Sequence, residues 1–469
     1  MIHCYRFKGI NIVLDIDSGA VHLVSDAVYD ILESRGRYAS DAEFADALDS
    51  LPTGTGFGHL ESRYGKELLQ EAASEIKTLI TDGTLFSDDA HVTTGMLGKR
   101  GAVIKAMCLH AAHDCNMSCE YCFAGKGSFT GEKSLLDVGT GKRAIDFLLR
   151  HSSGRKNLEV DFFGGEPLMN FDTIKAIVTY GREEERKHGK NIRFTVTTNG
   201  LLLDEAKEAF INENMDNVIL SIDGRPEIND AARKTVGGQG TYGHIIKNFN
   251  RFRERRKGNY FLRGTFTNNN LDFSDDVKHL VDLGFHAVSV EPVVADETKA
   301  YALKPDDIPR IKDEYDRLAD LCVSYAEAGK PFVFFHFNID LEQGPCVIKR
   351  VSGCGAGTEY VAVAPDGDIY PCHQFVGEEQ FRLGNVNDAV FENRLYDMFN
   401  GAHMMNKPEC GACWAKYYCG GGCHANAWHI NQDILKPYAL GCEMERKRVE
   451  CAIGIKAMLF LRRSGENGL

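Results

Sequence analysis

No stretch of this 469-residue chain approaches the roughly 18 consecutive apolar residues that a membrane-spanning helix needs. The N-terminus, MIHCYRFKGINIVLD, has no basic segment leading into an apolar core, so no secretory signal is read there. A cytoplasmic location is the expectation. Positive charge is also short: 54 Lys and Arg against 67 Asp and Glu leave a net charge of -13. Binding nucleic-acid phosphates requires clustered cations, so no nucleic-acid partner is expected, and no membrane one. The basic run Arg251, Arg253, Arg255, Arg256, Lys257 reads as a solvated helix end. No internal repeat or low-complexity tract is visible. Cysteine, by contrast, is abundant, with fifteen residues. In a reducing compartment these do not make a disulfide framework, and metal or cluster ligation is the default for those in tight motifs.

The length suggests roughly three domains. In residues 1–86, Ile10, Ile12, Leu14 and Ile16 alternate, Asp17 to Gly19 turns, and Val21 and Leu23 mark a second strand. Ser25 is placed to cap one helix, Ser40 and Glu43 to form a capping box on a second, and a third runs over 61–80. This set resembles a winged helix. Residues 87–101 read as a linker. Between 102 and 330, strand-like runs and amphipathic helices alternate six times. That predicts an α/β domain with a parallel sheet, open or curled into a partial (β/α)6 TIM-like barrel. Functional residues then belong at the C-terminal ends of its strands. Over 331–469 Gly and Cys rise and the alternation stops. A loop-rich domain built on metal sites is expected there, closed by a helix over about 442–463.

The stretch DCNMSCEYCF spaces Cys115, Cys119 and Cys122 as C-x3-C-x2-C, just after the first strand of that domain. Three thiolates on a four-iron cube leave one iron open for a ligand, because each iron takes one protein ligand. A structural zinc site is the plainer alternative. A thioredoxin-like C-x-x-C is disfavoured by the third cysteine and by Tyr121 and Phe123. CNMSCEYCF resembles the signature of radical S-adenosylmethionine (SAM) enzymes. That resemblance implies SAM chelated on the open iron and cleaved by one electron to a 5′-deoxyadenosyl radical. GGEP, Gly164 to Pro167, ends the second strand, where that family places its methionine-amine-binding motif. Glu166 and the backbone of Gly164 and Gly165 would then contact SAM, a carboxylate suiting an ammonium. By the same resemblance Thr198 and Asn199 of TTNG, and Ser221 of SID, are ribose- or methionine-contacting positions. Arg233 resembles an arginine that pairs with the SAM carboxylate, and Tyr121 joins the cofactor-binding set. Turn chemistry or plain surface exposure is the alternative for each. The G-x-G-x-x-G from Gly238 to Gly243 follows a helical stretch, not a strand, and reads as coincidence.

Further on, Cys410-x2-Cys413-x5-Cys419-x3-Cys423 is followed by Cys442 and preceded by Cys354 and Cys372. The arrangement resembles the SPASM domain, which binds two auxiliary [4Fe–4S] clusters. The resemblance assigns Cys410, Cys413, Cys419 and Cys442 to an outer cluster. It assigns Cys354, Cys372 and Cys423 to an inner one, with either Cys346 or an open iron completing it. A zinc ribbon is the alternative, since paired C-x2-C and C-x3-C also suit zinc. Cys4, Cys108, Cys322 and Cys451 fit no motif and read as buried small hydrophobes. Taken together the chain resembles SPASM-type radical SAM peptide maturases, and among them those of SCIFF peptides. That likeness implies SAM and three [4Fe–4S] clusters, one of them SAM-binding. It implies a thioether from a cysteine sulfur to a threonine of a ribosomal precursor peptide. It casts residues 1–86 as a RiPP recognition element, the leader adding as a strand beside residues 10–16 and against the helix over 61–80. It also implies an electron donor such as flavodoxin or ferredoxin, and an anaerobic host. Other SPASM enzymes, such as sulfatase-maturing oxidases or peptide C–C cyclases, and a non-catalytic leader-binding iron–sulfur protein stay open.

Overall fold

The computed structural model describes residues 1–51, 57–88, 103–129, 131–341, 351–388 and 393–465. Most of the expected linker lies outside them, as does Cys346. At the N-terminus, β1 (Ile2–Phe7), β2 (Ile10–Asp15) and β3 (Val21–Val24) form an antiparallel sheet in that order. Phe7 pairs with Ile10, so Lys8 and Gly9 make a two-residue turn, both with positive φ (49° and 83°). That is the type I′ geometry whose twist matches a hairpin. Four helices pack around Val28, Phe44, Phe57, Leu69 and Ile76: α1 (Asp26–Glu33), α2 (Asp41–Leu48), α3 (Gly58–Tyr64) and α4 (Lys66–Thr81).

Both expected caps form: Ser25 accepts from Val28 N–H and Ser40 from Glu43 N–H. Glu43 does not close the box. Its carboxylate accepts from Ala39 N–H at 2.8 Å, one residue before the cap. The helix expected over 61–80 is broken at Gly65, whose φ of 76° suits glycine and strains other residues. A larger correction concerns the expected peptide groove. Residues 10–15 are the central strand, hydrogen-bonded to β1 on one side and β3 on the other. No further strand can add to them. The outer edge of β3 pairs with no other strand among the described residues.

The second sheet is built from β4 (Ala106–His113), β5 (Ser134–Leu135), β6 (Asn157–Gly164), β7 (Asn191–Thr198), β8 (Asn217–Ser221), β9 (Phe261–Phe266), β10 (Ala287–Pro292), β11 (Val333–Phe334), β12 (Tyr360–Val363), β13 (Asp368–Tyr370) and β14 (Gly384–Asn385). Its order is β11-β10-β9-β8-β7-β6-β4-β12-β13-β14, with β5 beside β4. From β11 through β12 the pairing is parallel. The connecting helices are α5 (Val138–His151), α6 (Phe171–His188), α7 (Glu205–Asn214), α8 (Pro226–Ala232), α9 (Tyr242–Arg255), α10 (Phe273–Asp282) and α11 (Ile308–Glu327). The expected six-fold alternation is present as β4 and β6 to β10. β11 and β14 stand at opposite ends, so no closed barrel is formed.

The alternation was expected to stop near residue 331. Instead β11 extends one end of the sheet, and β12 to β14 extend the other beyond β4. The short run YVAV explains β12: Val361, Ala362 and Val363 are fully buried, as a parallel strand covered on both faces requires.

One side of the sheet is apolar. Leu158, Val160 and Phe162 of β6, Ile192, Phe194 and Val196 of β7, and Val218 and Leu220 of β8 are fully buried. Each such side chain contributes about 1.5–3 kcal/mol. The intervening residues Asp161, Thr195, Thr197 and Ser221 are polar and point the other way. A long helix, Ala439–Ser464, follows and packs on α11 and on the N-terminal sheet. Among the described residues no helix is long and apolar enough to cross a membrane.

Gly454 of that helix lies under Phe7 of β1, and an added Cβ would sit 2.3 Å from the ring. Gly454→Ala should therefore cost about 1–3 kcal/mol through overpacking. Thermal unfolding checks it. An unchanged midpoint would mean that Phe7 swings away without loss.

Candidate functional site

The three clustered cysteines follow β4 directly, in a loop held by backbone contacts to the next parallel strand. Gly165 N–H donates to Ala112 O at 2.8 Å, and Glu166 N–H to Asp114 O at 2.9 Å. These contacts explain the paired glycines. A Cβ on Gly164, whose φ is 123°, would lie 2.2 Å from Ala112 O. One on Gly165 would lie 2.2 Å from Asp114 O and 2.9 Å from Gly127 Cα. The glycines thus let one strand end seat the cysteine loop.

Cys115, Cys119 and Cys122 line a cavity of about 270 Å³ together with Gly164, Gly165, Thr198, Asn199, Ser221 and Arg233. The structure therefore brings together nearly every residue singled out from the sequence. Glu166 stands apart. It is fully buried behind the wall, and each of its oxygens accepts from the fold. One accepts from Leu168 N–H (3.0 Å) and Thr198 Oγ1 (2.7 Å), the other from Asn199 N–H (2.8 Å). It braces the ends of β6 and β7. Asn199 in turn donates to Asn116 Oδ1 at 2.8 Å and lies 3.8 Å from Cys115 Sγ.

Tyr121 donates to Asp223 Oδ2 at 2.6 Å and accepts from Arg233 Nη1 at 3.1 Å. Arg233 is buried, and its Nε has no partner among the described residues. An unmatched buried donor of this kind is costly, and an anion in the cavity relieves it. The SAM carboxylate is such an anion, so the residues fit that cofactor. Burial, with Glu166 next, pushes the Cys115 thiol up to about 12, and burial raises Cys119 too. Such thiols ligate only once a metal stabilises the thiolate.

The remaining wall was missed from sequence. Arg263, Thr265 and Glu291 come from the ends of β9 and β10, and His373, Gln374 and Asn426 come from beyond residue 350. Glu291 lies 3.4 Å from His336 and 3.9 Å from Arg263; burial raises its carboxyl, but His336, then Arg263 and the buried Arg448, hold it well below the usual range. The signal was present: polar residues alternating with apolar ones in FLRGTF and AVSVEP, where a parallel strand covered on both faces reads apolar throughout.

The later cysteines form two groups. Cys410, Cys413, Cys419 and Cys442 line one cavity of about 380 Å³. Burial and then Cys423 raise the Cys372 thiol, burial raises Cys423, and Cys354 adds to both. No group of three or more His, Cys, Asp or Glu among the described residues is gathered closely enough for a single metal ion. Four thiols spaced around a cavity suit a larger inorganic cluster. Cys108 and Cys451 are buried, Cys4 and Cys322 partly so, and burial raises all four thiols, as expected of packing residues. The N-terminal sheet docks on the four-cysteine group. His3 stacks on Trp414 with ring centroids 3.7 Å apart, and the buried Lys416 pairs with the buried Asp17 at 3.0 Å.

A parallel sheet with a three-cysteine loop after its first strand, and further cysteine groups behind it, defines a radical SAM fold with added iron–sulfur sites. Residues 111–283 match the Radical SAM superfamily, and residues 354–414 match the SPASM iron-sulfur cluster-binding domain. The chain thus carries a Radical SAM domain and a SPASM domain, and these domains imply SAM and [4Fe–4S] clusters. It is homologous to anaerobic sulfatase-maturating enzymes. The cysteine-type enzyme of Clostridium perfringens (strain 13 / Type A) is 27% identical over 336 residues, 67% of this chain and 86% of that protein. The radical SAM cyclopropyl synthase TigE of Paramaledivibacter caminithermalis is 23% identical over 346 residues, 69% of this chain and 68% of that one. Among solved structures, native anSMEcpe with bound AdoMet shares the fold at TM-score 0.63 and 21% identity, covering 75% of this chain and 99% of that one. Streptococcus suis SuiB bound to S-adenosylmethionine does so at TM-score 0.53 and 17% identity, covering 94% and 98%.

Gly165→Ala should displace the cysteine loop. The expected result is loss of about four irons, the content of one cluster, while the other iron stays. Iron analysis after anaerobic reconstitution checks this, and full retention would show that the loop accommodates the methyl group.

Proposed function

We propose that the chain installs a thioether between a cysteine sulfur and a threonine of a ribosomally made, cysteine-rich peptide. In this reading Cys115, Cys119 and Cys122 hold the SAM-binding cluster. Cys410, Cys413, Cys419 and Cys442 hold an outer auxiliary cluster, and Cys354, Cys372 and Cys423 an inner one. When bound, SAM and its cluster supply a carbon-centred radical that takes hydrogen from an unactivated C–H bond, and the auxiliary clusters supply a one-electron sink.

The observation that carries the reading is a shared wall. His373, Gln374 and Asn426, next to Cys372 and Cys423 in sequence, line the same cavity as the first three cysteines. A peptide held there has its acceptor carbon near the SAM site and its sulfur near the inner group. Among the described residues three cysteines leave that group one ligand short, where Cys346 or a substrate thiolate fits. Arg233 fixes the SAM carboxylate, and the Tyr121–Asp223 pair orients Arg233. Glu166 keeps Thr198 and Asn199 in place from behind. Arg263, Glu291 and the neutral wall residues orient the peptide. Its leader pairs with the edge of β3, the strand whose outer side is unpaired among the described residues.

The homology to sulfatase-maturating enzymes favours a second reading, oxidation of one cysteine or serine side chain to an aldehyde. The two are separated by mass spectrometry. The enzyme is incubated with SAM, dithionite and a cysteine-rich precursor peptide. Thioether formation removes two hydrogen atoms and one free thiol per link with all sulfur kept. Aldehyde formation from cysteine with loss of sulfur would sink the thioether reading.

Cluster content is tested separately. The reconstituted wild type should hold about twelve irons, and the Cys115/Cys119/Cys122→Ala variant about eight. About four irons in the wild type, with zinc making up the remainder, would remove both auxiliary clusters.

A further inference from the structure

One charged side chain is wholly buried in the C-terminal region and has no carboxylate partner among the described residues. Lys407 is 0% exposed. Its Nζ donates to Gly421 O at 2.8 Å and lies 3.4 Å from His424 Nδ1. A carbonyl and an imidazole nitrogen accept hydrogen bonds, but neither cancels a charge. An ammonium buried in that way costs several kcal/mol unless a counter-charge is close.

The placement of Lys407 supplies one. Gly421 is the middle residue of Cys419-Gly420-Gly421-Gly422-Cys423. This short loop ends on one cysteine of each auxiliary group. Its three glycines all have positive φ (67°, 93° and 75°), a run that side chains other than glycine rarely adopt. That backbone turns the central carbonyl onto Lys407. The lysine is also fixed to the four-cysteine group through its own backbone, since Lys407 O accepts from Cys410 N–H at 2.9 Å and Gly411 N–H at 3.0 Å. Its Nζ therefore sits against the carbonyl that lies two residues from both Cys419 and Cys423, and beside His424, the residue after Cys423.

We propose that Lys407 is a buried counter-ion shared by both auxiliary clusters, raising their reduction potentials so that each accepts an electron more readily. The inference rests on the cluster assignments proposed above. A thiolate-ligated cluster is an anion and gains a further negative charge on reduction. A fixed cation nearby therefore favours the reduced form, and burial keeps water from screening it.

The test uses the full-length Cys115/Cys119/Cys122→Ala protein as parent, so that only auxiliary clusters are read. Redox titration followed by electron paramagnetic resonance is run on the parent and on added Lys407→Met, Lys407→Gln and Lys407→Arg. The Met and Gln variants should be at least tenfold harder to reduce, about 59 mV per one-electron step. Lys407→Arg should titrate like the parent. Loss of iron in Met and Gln but not in Arg would also support a required charge. Full iron with parental potentials in Lys407→Met would overturn the proposal. So would loss of iron in all three, which would make the residue a matter of shape. A parent without auxiliary iron would bring down the cluster assignments, and this inference with them.

Discussion

Everything at the active end rests on the contact between two backbones. β6 ends against the start of the cysteine loop with no room for a single carbon between Gly165 and Asp114 O. The parallel register of β4 and β6 makes this contact, and the two glycines permit it. Because the seat is backbone on backbone, the three thiols are aimed by the sheet itself and not by a hinge of side chains. Glu166 then extends the same order to β7 through its bonds to Thr198 and Asn199. Three successive strand ends are thereby locked into one wall.

The sheet also sets the position of the later cysteines. β12 pairs in parallel with β4, the strand that launches the first cysteine loop. Cys354 precedes β12 closely, and Cys372 follows β13. The second domain is therefore a continuation of the first domain's sheet, and the cavity wall is shared between them. The two sides of the sheet divide the labour. Apolar side chains toward the helices supply the stability, and polar ones on the other side are left for binding.

Much of this was legible in the sequence. Alternation located the strands β4 and β6 to β10 and their helices within a few residues, since long periodic segments are governed by burial. The resemblance to the SPASM pattern grouped the later cysteines, and Cys410, Cys413, Cys419 and Cys442 line one cavity. What was not legible was short or non-local. β1 was missed because a Lys-Gly turn is a weak hairpin signal, and with it the fact that residues 10–15 form a central strand. β11 to β14 have two to four residues each, and β11 and β12 declare themselves only by pairing with strands far away in sequence. Glu166 was read as a ligand contact, and local spacing did not show that it also takes three donors from the fold. His373 and Asn426 entered the cavity from a different domain, which no local pattern could reveal.

The join between the N-terminal sheet and the four-cysteine group has a consequence for how such chains are built. The sheet is fastened by a stacked pair, His3 on Trp414, and by a buried ion pair, Asp17 with Lys416. Both partners on the far side lie inside the stretch from Cys413 to Cys419. The first residues of the chain are thus keyed to the last cysteine motif, across the whole intervening domain. A chimaera that borrows its N-terminal unit from a relative must import Trp414 and Lys416 or their counterparts as well. Otherwise it gives up the stacked pair and the ion pair together. The unit is separate in sequence but not interchangeable as a cassette.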